Sequence, residues 1–458
     1  MNVHEKQYPE FRWLVLAFGA LAYFASQLTY LSVAPVLQPI SRSLGITPGA
    51  ATILLMSSFL AAGSVTWIAV GGYLSDRFGV FVALILGMVC LAVPSSLTPW
   101  LAGNPAAVFW LRVVEGFSIG LMFPTIPVIA NTLFPLKQRG LSSGLSCSSL
   151  SLGCSAGVVL GPRVLLAVGG QWKVMSAVLS LFSWATLAFG VVLYLMYNRR
   201  LPIHSELAQK PARGPIRHKP HFWPLTILGI ATTFLTVWAL QGIYSLAPTF
   251  LAVDKPLGAG YGAVMAGQLA LGATLLAGVL GPVLNGFLLD KVFHGRVRWN
   301  LCVGFALMCV CVYLLQFPFI TGNPALLEAN LILGGFGPMF AFPTMTYLSA
   351  CFYPPRVVGK MGGLWSGIGN CGGVLCVYCA GLMIRTHNSY GPTFTLQALI
   401  AALGFTLTFI LVKYHKRVYL ARSSPHAGGP APAPAIHHNK KCALGSSILG
   451  AGCPTSRL

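Results

Sequence analysis

Apolar runs of about twenty residues recur along the 458-residue chain, with few charges inside them. A run of that length matches an α-helix crossing roughly 30 Å of hydrocarbon. In that solvent the backbone must satisfy its own hydrogen bonds, so only helices and closed barrels span it. Barrel strands would read as ten-residue segments of alternating polarity, and the sequence has no such pattern. Charged residues are only 8% and hydrophobic residues 55% of the chain, too little charge to cover a soluble surface of this size. The expected fold class is an all-α membrane protein with twelve transmembrane helices.

The runs place helices at about 13–36, 51–74, 80–98, 106–134, 141–162 and 172–197. Six more follow at about 222–250, 260–289, 299–319, 325–350, 361–384 and 392–413. The chain then divides into an N-terminal six-helix half (1–197), a linker (198–221), a C-terminal half (222–413) and a tail (414–458). The linker carries Arg199, Arg200, Lys210, Arg213, Arg217 and Lys219 among prolines and reads as a basic, exposed connection. The tail is rich in Pro, Ala, Gly and Ser and reads as disordered.

Placing the N-terminus in the cytoplasm puts 23 of the 29 Lys and Arg on that side and 5 on the other, with Arg112 inside a helix. The bias predicts both termini cytoplasmic, in a plasma membrane or bacterial inner membrane. It also accounts for the net charge of +21 through attraction to anionic lipid, so no nucleic-acid partner is expected. Cys and His show no zinc spacing, and no phosphate loop or Ser–His–Asp set occurs. No metal, cofactor or enzyme activity is expected.

The two halves repeat. Residues 104–145 align with 323–364 without gaps, and Asn104-Pro-Ala, Gly116-Phe, Phe123-Pro-Thr125, Pro135, Gly140 and Gly144-Leu all recur 219 positions later. Ser32-x-Ala34-Pro35 recurs as Ser245-x-Ala247-Pro248. Gly72-Tyr-Leu-Ser-Asp76-Arg77 has a counterpart in Gly286-Phe-Leu-Leu-Asp290-Lys291. Two parallel repeats imply a site between them near the bilayer midplane.

One segment places a guanidinium and a carboxylate within hydrocarbon: Arg112-Val-Val-Glu115-Gly116. A lone charge there costs about 2.5–3.5 kcal/mol on insertion scales. Three residues apart on a helix, the two can pair, and Gly116 and Gly120 give a small-xxx-small face for another helix.

These residues resemble the major facilitator superfamily over all twelve helices, though not the tail. Gly72…Asp76-Arg77…Gly79 is similar to that family's loop 2–3 motif, with Val80 and Phe81 in place of its trailing basic residues. The resemblance implies a conformational latch at Asp76, Arg77, Asp290 and Lys291. Arg112 with Gly116 is similar to the fourth-helix motif, tied in the family to proton coupling or substrate charge. In sialin-like organic-anion transporters a carboxylate follows that arginine by seven residues, where this chain has Ile119. Glu115 lies about 40° from that place around the helix and is the proton-coupling candidate. The fifth helix carries Gly144-x8-Gly153-x3-Gly157, part of the antiporter motif, and close packing would explain the same spacing.

The resemblance has helices one, four, seven and ten line the cavity. Tyr23, Gln27 and Tyr30 on the first, Arg112 on the fourth, and Trp238, Gln241 and Ser245 on the seventh are the candidate substrate-binding residues. A single arginine among aromatics and amides suits a small organic anion such as a carboxylate. The expected function is alternating-access transport of that solute, with proton coupling open. Efflux of amphiphilic compounds and a non-transporting sensor remain as alternatives. The chain is expected to act as a monomer, its partners being the solute, protons and lipid.

Overall fold

The structure is a computed structural model that describes residues 11–197, 222–293, 296–352 and 358–423. Among the described residues, twelve helices are long and apolar enough to cross a membrane. In chain order α1 to α6 are Arg12–Leu31, Pro48–Val70, Val80–Leu101, Pro105–Ala130, Leu141–Ala167 and Trp172–Tyr197. Helices α7 to α12 are Trp223–Ala252, Gly262–Phe287, Val297–Leu314, Pro324–Met345, Leu364–His387 and Gly391–Val412.

The packing repeats as the sequence does. In the first half α1 lies on α5, α2 on α4, and α3 on α4 and α6. In the second, α7 lies on α11, α8 on α10, and α9 on α10 and α12. The halves meet where α2 runs along α11 and α5 along α8.

Between helices in lipid there is little hydrophobic drive, so contact depends on small residues that let backbones approach. A Cβ added at Gly116 would stand 2.2 Å from the Phe59 carbonyl oxygen, so α4 and α2 touch main chain to main chain. Its repeat partner Gly335 meets the Ala273 carbonyl of α8 at 2.8 Å in the same sense. Gly153 brings α5 onto the Phe24 carbonyl of α1 and Gly161 onto that of Ser32, which follows the end of α1, at 2.4 and 2.3 Å. Of the spaced glycines of the fifth helix, Gly153 and Gly157 are thus occupied by packing, whereas a Cβ added at Gly144 meets nothing within 4 Å.

The repeated Phe-Pro-Thr also has a physical role. Helix α4 breaks after Met122 and resumes at Thr125, as expected where proline removes a donor. Thr125, fully buried, pairs with the Tyr23 hydroxyl at 2.7 Å. Thr344, equally buried, donates to Asn285 Oδ1 at 3.0 Å. Asn300 donates to both Thr344, at 2.8 Å, and Asn285. Each half therefore centres a threonine in an internal polar knot. The repeat extends to helix irregularities: π turns at Ile53–Ser57 in α2 and Gly272–Ala277 in α8 begin 219 residues apart.

Some boundaries differ from the sequence expectation. The first helix ends at Leu31, not near 36, and a short helix Leu37–Leu44 follows. Pro35 accounts for the stop, because it disfavours helical backbone before it. At the other end a helix runs unbroken from Gly391 to Ser423, so residues 414–423 are helical rather than part of a disordered tail. Half of these residues are Lys, Arg, Leu or Ala, which are strong helix formers, and none is Gly or Pro. The linker 198–221 and the remainder of the tail lie outside the described residues.

Candidate functional site

Arg112 and Glu115 face inward on α4, 6% and 1% exposed. Arg112 Nη1 donates to Glu115 Oε2 at 2.6 Å, and its Nε donates to the Leu55 carbonyl at 3.0 Å. Ser95 of α3 donates to the other carboxylate oxygen at 2.6 Å. The pair is thus hydrogen-bonded as well as neutralised, the condition under which buried charges are tolerated. Arg112 Nη2 is buried and makes no hydrogen bond. A cavity of about 30 Å³ adjoins the pair, lined in part by Thr29, Ser32, Thr98, Trp172 and Ser176. It has roughly the room of one or two waters.

The guanidinium is held by more than its charge partner. Arg112 Cζ stands 5.3 Å from the centre of the Phe59 ring, within cation–π range. Phe59 in turn stacks on Tyr30, with centroids 5.1 Å apart and planes at 21°. The Tyr30 hydroxyl crosses to the other half. It donates to Gln241 Oε1 at 3.3 Å and shares a 3.0 Å hydrogen bond with Ser245 Oγ. Ser245 also donates to Gln241 Oε1. Ser245 lies in a π turn, Gly242–Leu246, and such turns are frequent at functional sites.

The sequence candidates therefore separate into groups. Tyr30, Gln241 and Ser245 form one hydrogen-bonded node between the halves, linked by Phe59 to the Arg112–Glu115 pair. Tyr23 lies inside the first half on Thr125. Gln27 accepts from Cys154 of α5 at 3.4 Å. Trp238 packs with Leu246, Cys376 and Ala380 in the second half and makes none of the node's hydrogen bonds. Arg77 is exposed, bonds the Tyr73 hydroxyl, and lies 5.6 and 5.5 Å from the Tyr73 and Phe78 rings. Lys291 is exposed. The side chains of Asp76 and Asp290 lie outside the described residues.

Other participants carried no sequence signal. Phe59 is one of 27 phenylalanines, and nothing in its local pattern sets it apart. Ser95 is one of two adjacent serines after Pro94, and nothing in that run marks it as the partner of Glu115. A clasp joins the halves beyond the ends of α1 and α7. Arg42 Nη2 and Gln38 Nε2 both reach Asp254 Oδ2, at 2.8 and 3.0 Å, and the Asp254 amide donates back to Gln38 at 3.2 Å. Midway along the interface Ser57 donates to the Val374 carbonyl at 3.3 Å and Ser151 to the Gly278 carbonyl at 3.1 Å.

Two six-helix repeats with a polar node on the seam between them define a multi-pass membrane transporter rather than an enzyme. The chain belongs to the Major Facilitator Superfamily, whose family model matches residues 19–320 and 260–452. Similar proteins include the probable sulfoacetate transporter SauU of Cupriavidus necator, 25% identical over 87% of this chain and 93% of that protein. The hexuronate transporter of Bacillus subtilis is 23% identical over 76% of this chain and 82% of its own length. The D-galactonate transporter of Escherichia coli is also 23% identical, over 76% of this chain and 84% of that one. Among solved structures, a bacterial homologue of the human lysosomal transporter Spinster, inward-facing and unoccupied, superposes with a TM-score of 0.67. It covers 90% of this chain and 99% of that one at 14% identity, which is likeness of fold alone.

Proposed function

We propose that this protein is a secondary active transporter that moves a small organic anion, carboxylate-like in its charge, by alternating access. The observation that carries the reading is Arg112, a buried cation with one unpartnered nitrogen, linked through Phe59 and Tyr30 to the seam. In this reading the anion competes with Glu115 for the guanidinium, and Tyr30, Gln241 and Ser245 contact its neutral part. Glu115, displaced from Arg112, is the group that takes up a proton, which makes the coupling a symport. The named cargoes of the three relatives, sulfoacetate, hexuronate and galactonate, are all organic anions and support this class. The distribution of Lys and Arg supports a topology with both termini in the cytoplasm.

The exporter alternative rests on the glycine spacing of the fifth helix, of which packing of α5 on α1 accounts for Gly153 and Gly157. A sensor would bind its ligand without flux. The test is proton and solute movement in proteoliposomes offered a panel of sulfonates, sugar acids, simple carboxylates and lipophilic cations. The expected result is external alkalinisation with one class of anion, lost in Arg112→Ala. A response to lipophilic cations alone would overturn the anion reading.

A further inference from the structure

Phe59 is fully buried and touches both parts of the proposed site. Its ring stacks on Tyr30, the side chain that bonds across the seam. The same ring lies beneath the Arg112 guanidinium. Its main chain is fixed too, since the Phe59 carbonyl is the atom against which Gly116 packs, one helical turn beyond Arg112. The spacing of Arg112 and Gly116 thus has a geometric sense: the glycine lets α2 come close enough for the Phe59 ring to meet the arginine.

We propose that Phe59 is a positioning residue that presents Arg112 to the transported anion and ties its orientation to contact between the halves at Tyr30. The inference rests on the reading that Arg112 meets the anion. A ring face attracts a cation without using any of its N–H donors. Phe59 can therefore hold the guanidinium in place while Glu115 and the anion exchange on its nitrogens, leaving Nη2 available. The stack with Tyr30 supplies the link to conformation. When the halves part at the seam, Tyr30 loses Gln241 and Ser245, its ring is released, and the surface supporting Phe59 changes. An aliphatic residue of similar volume would fill the same space but offer no face potential to the cation.

The test separates packing from ring electrostatics. Phe59 is replaced by mono-, di- and trifluorophenylalanine in the full-length protein, nearly isosteric rings whose face potential weakens with each fluorine. Uptake of the best anion is measured in proteoliposomes. KM is expected to rise stepwise along the series, reaching roughly tenfold, with the maximal rate changed far less. Phe59→Trp should retain a KM near the wild type, and Phe59→Leu should match the trifluoro ring. A flat fluorine series, or Leu and Trp behaving alike, would overturn the proposal. Arg112→Gln is the control for the reading beneath it. If that variant keeps the wild-type KM, Arg112 does not contact the anion and both fall. If it abolishes uptake while the fluorine series is flat, only the role of Phe59 falls.

Discussion

Truncating Glu115 should harm this protein more than removing Glu115 and Arg112 together. The carboxylate is 1% exposed and takes two hydrogen bonds of 2.6 Å, from Arg112 Nη1 and Ser95 Oγ. In Glu115→Leu the guanidinium, 6% exposed, keeps only the Leu55 carbonyl and the Phe59 ring. Stranding one partner of a buried pair costs about 3–5 kcal/mol, whereas replacing both with apolar side chains is commonly neutral or stabilising. Arg112→Met with Glu115→Leu should therefore return to within about 1 kcal/mol of the wild type. The coupling between the two sites should then be at least about 2 kcal/mol. The midpoint of denaturant unfolding in mild detergent, followed by tryptophan fluorescence, reads all four corners of the cycle. Transport supplies the second readout, because the double variant should be stable yet fail to accumulate any organic anion. If Glu115→Leu were as stable as the wild type, or the double variant no better than the single, burial of the pair would not govern its energetics. Water in the adjoining cavity would then have to be solvating the stranded guanidinium.

Gly116→Ala would place a methyl 2.2 Å from the Phe59 carbonyl oxygen, whereas at Gly144 an added Cβ meets nothing within 4 Å. The first should cost about 1–3 kcal/mol as overpacking and the second should be neutral or mildly stabilising, read by loss of the monodisperse gel-filtration peak on heating. Asp254→Ala removes a clasp whose ion pair is 69% and 62% exposed, so stability should change by no more than about 1 kcal/mol. Its transport rate should change several-fold, and a rate equal to wild type at low and high salt would show that the clasp does not gate. Thr344→Val deprives Asn285 and Asn300 of a shared partner in the second half. It should cost about 1–3 kcal/mol, measured by unfolding midpoint, while leaving KM for the anion unchanged.

The hydrophobic runs and the 219-residue repeat determined the architecture without help from coordinates. Each is a property of the chain in one dimension: helix length against bilayer thickness, and similarity at a fixed offset. The pairing of Arg112 with Glu115 was legible for the same reason, since three residues on a helix fix their neighbourhood. The linker, the far tail and the Asp76 and Asp290 side chains fall beyond what the structure describes. Only the tertiary structure decided which aromatic and amide residues share a place. Tyr23, Gln27 and Tyr30 read as one stripe on α1, yet Tyr23 turns to Thr125, Gln27 to Cys154, and only Tyr30 reaches Gln241 and Ser245. Residues four and seven apart lie on one broad face, but that face meets α4, α5 and α7 in turn. Trp238, matched to Gln241 by spacing, packs among Leu246, Cys376 and Ala380 and takes no part in the hydrogen bonds of Gln241 and Ser245. Phe59 and Asp254 gain their roles from partners on other helices, 53 and 212 residues away in Arg112 and Arg42. Contacts of that range depend on how the helices tilt and close on one another, which periodicity within a single helix does not encode.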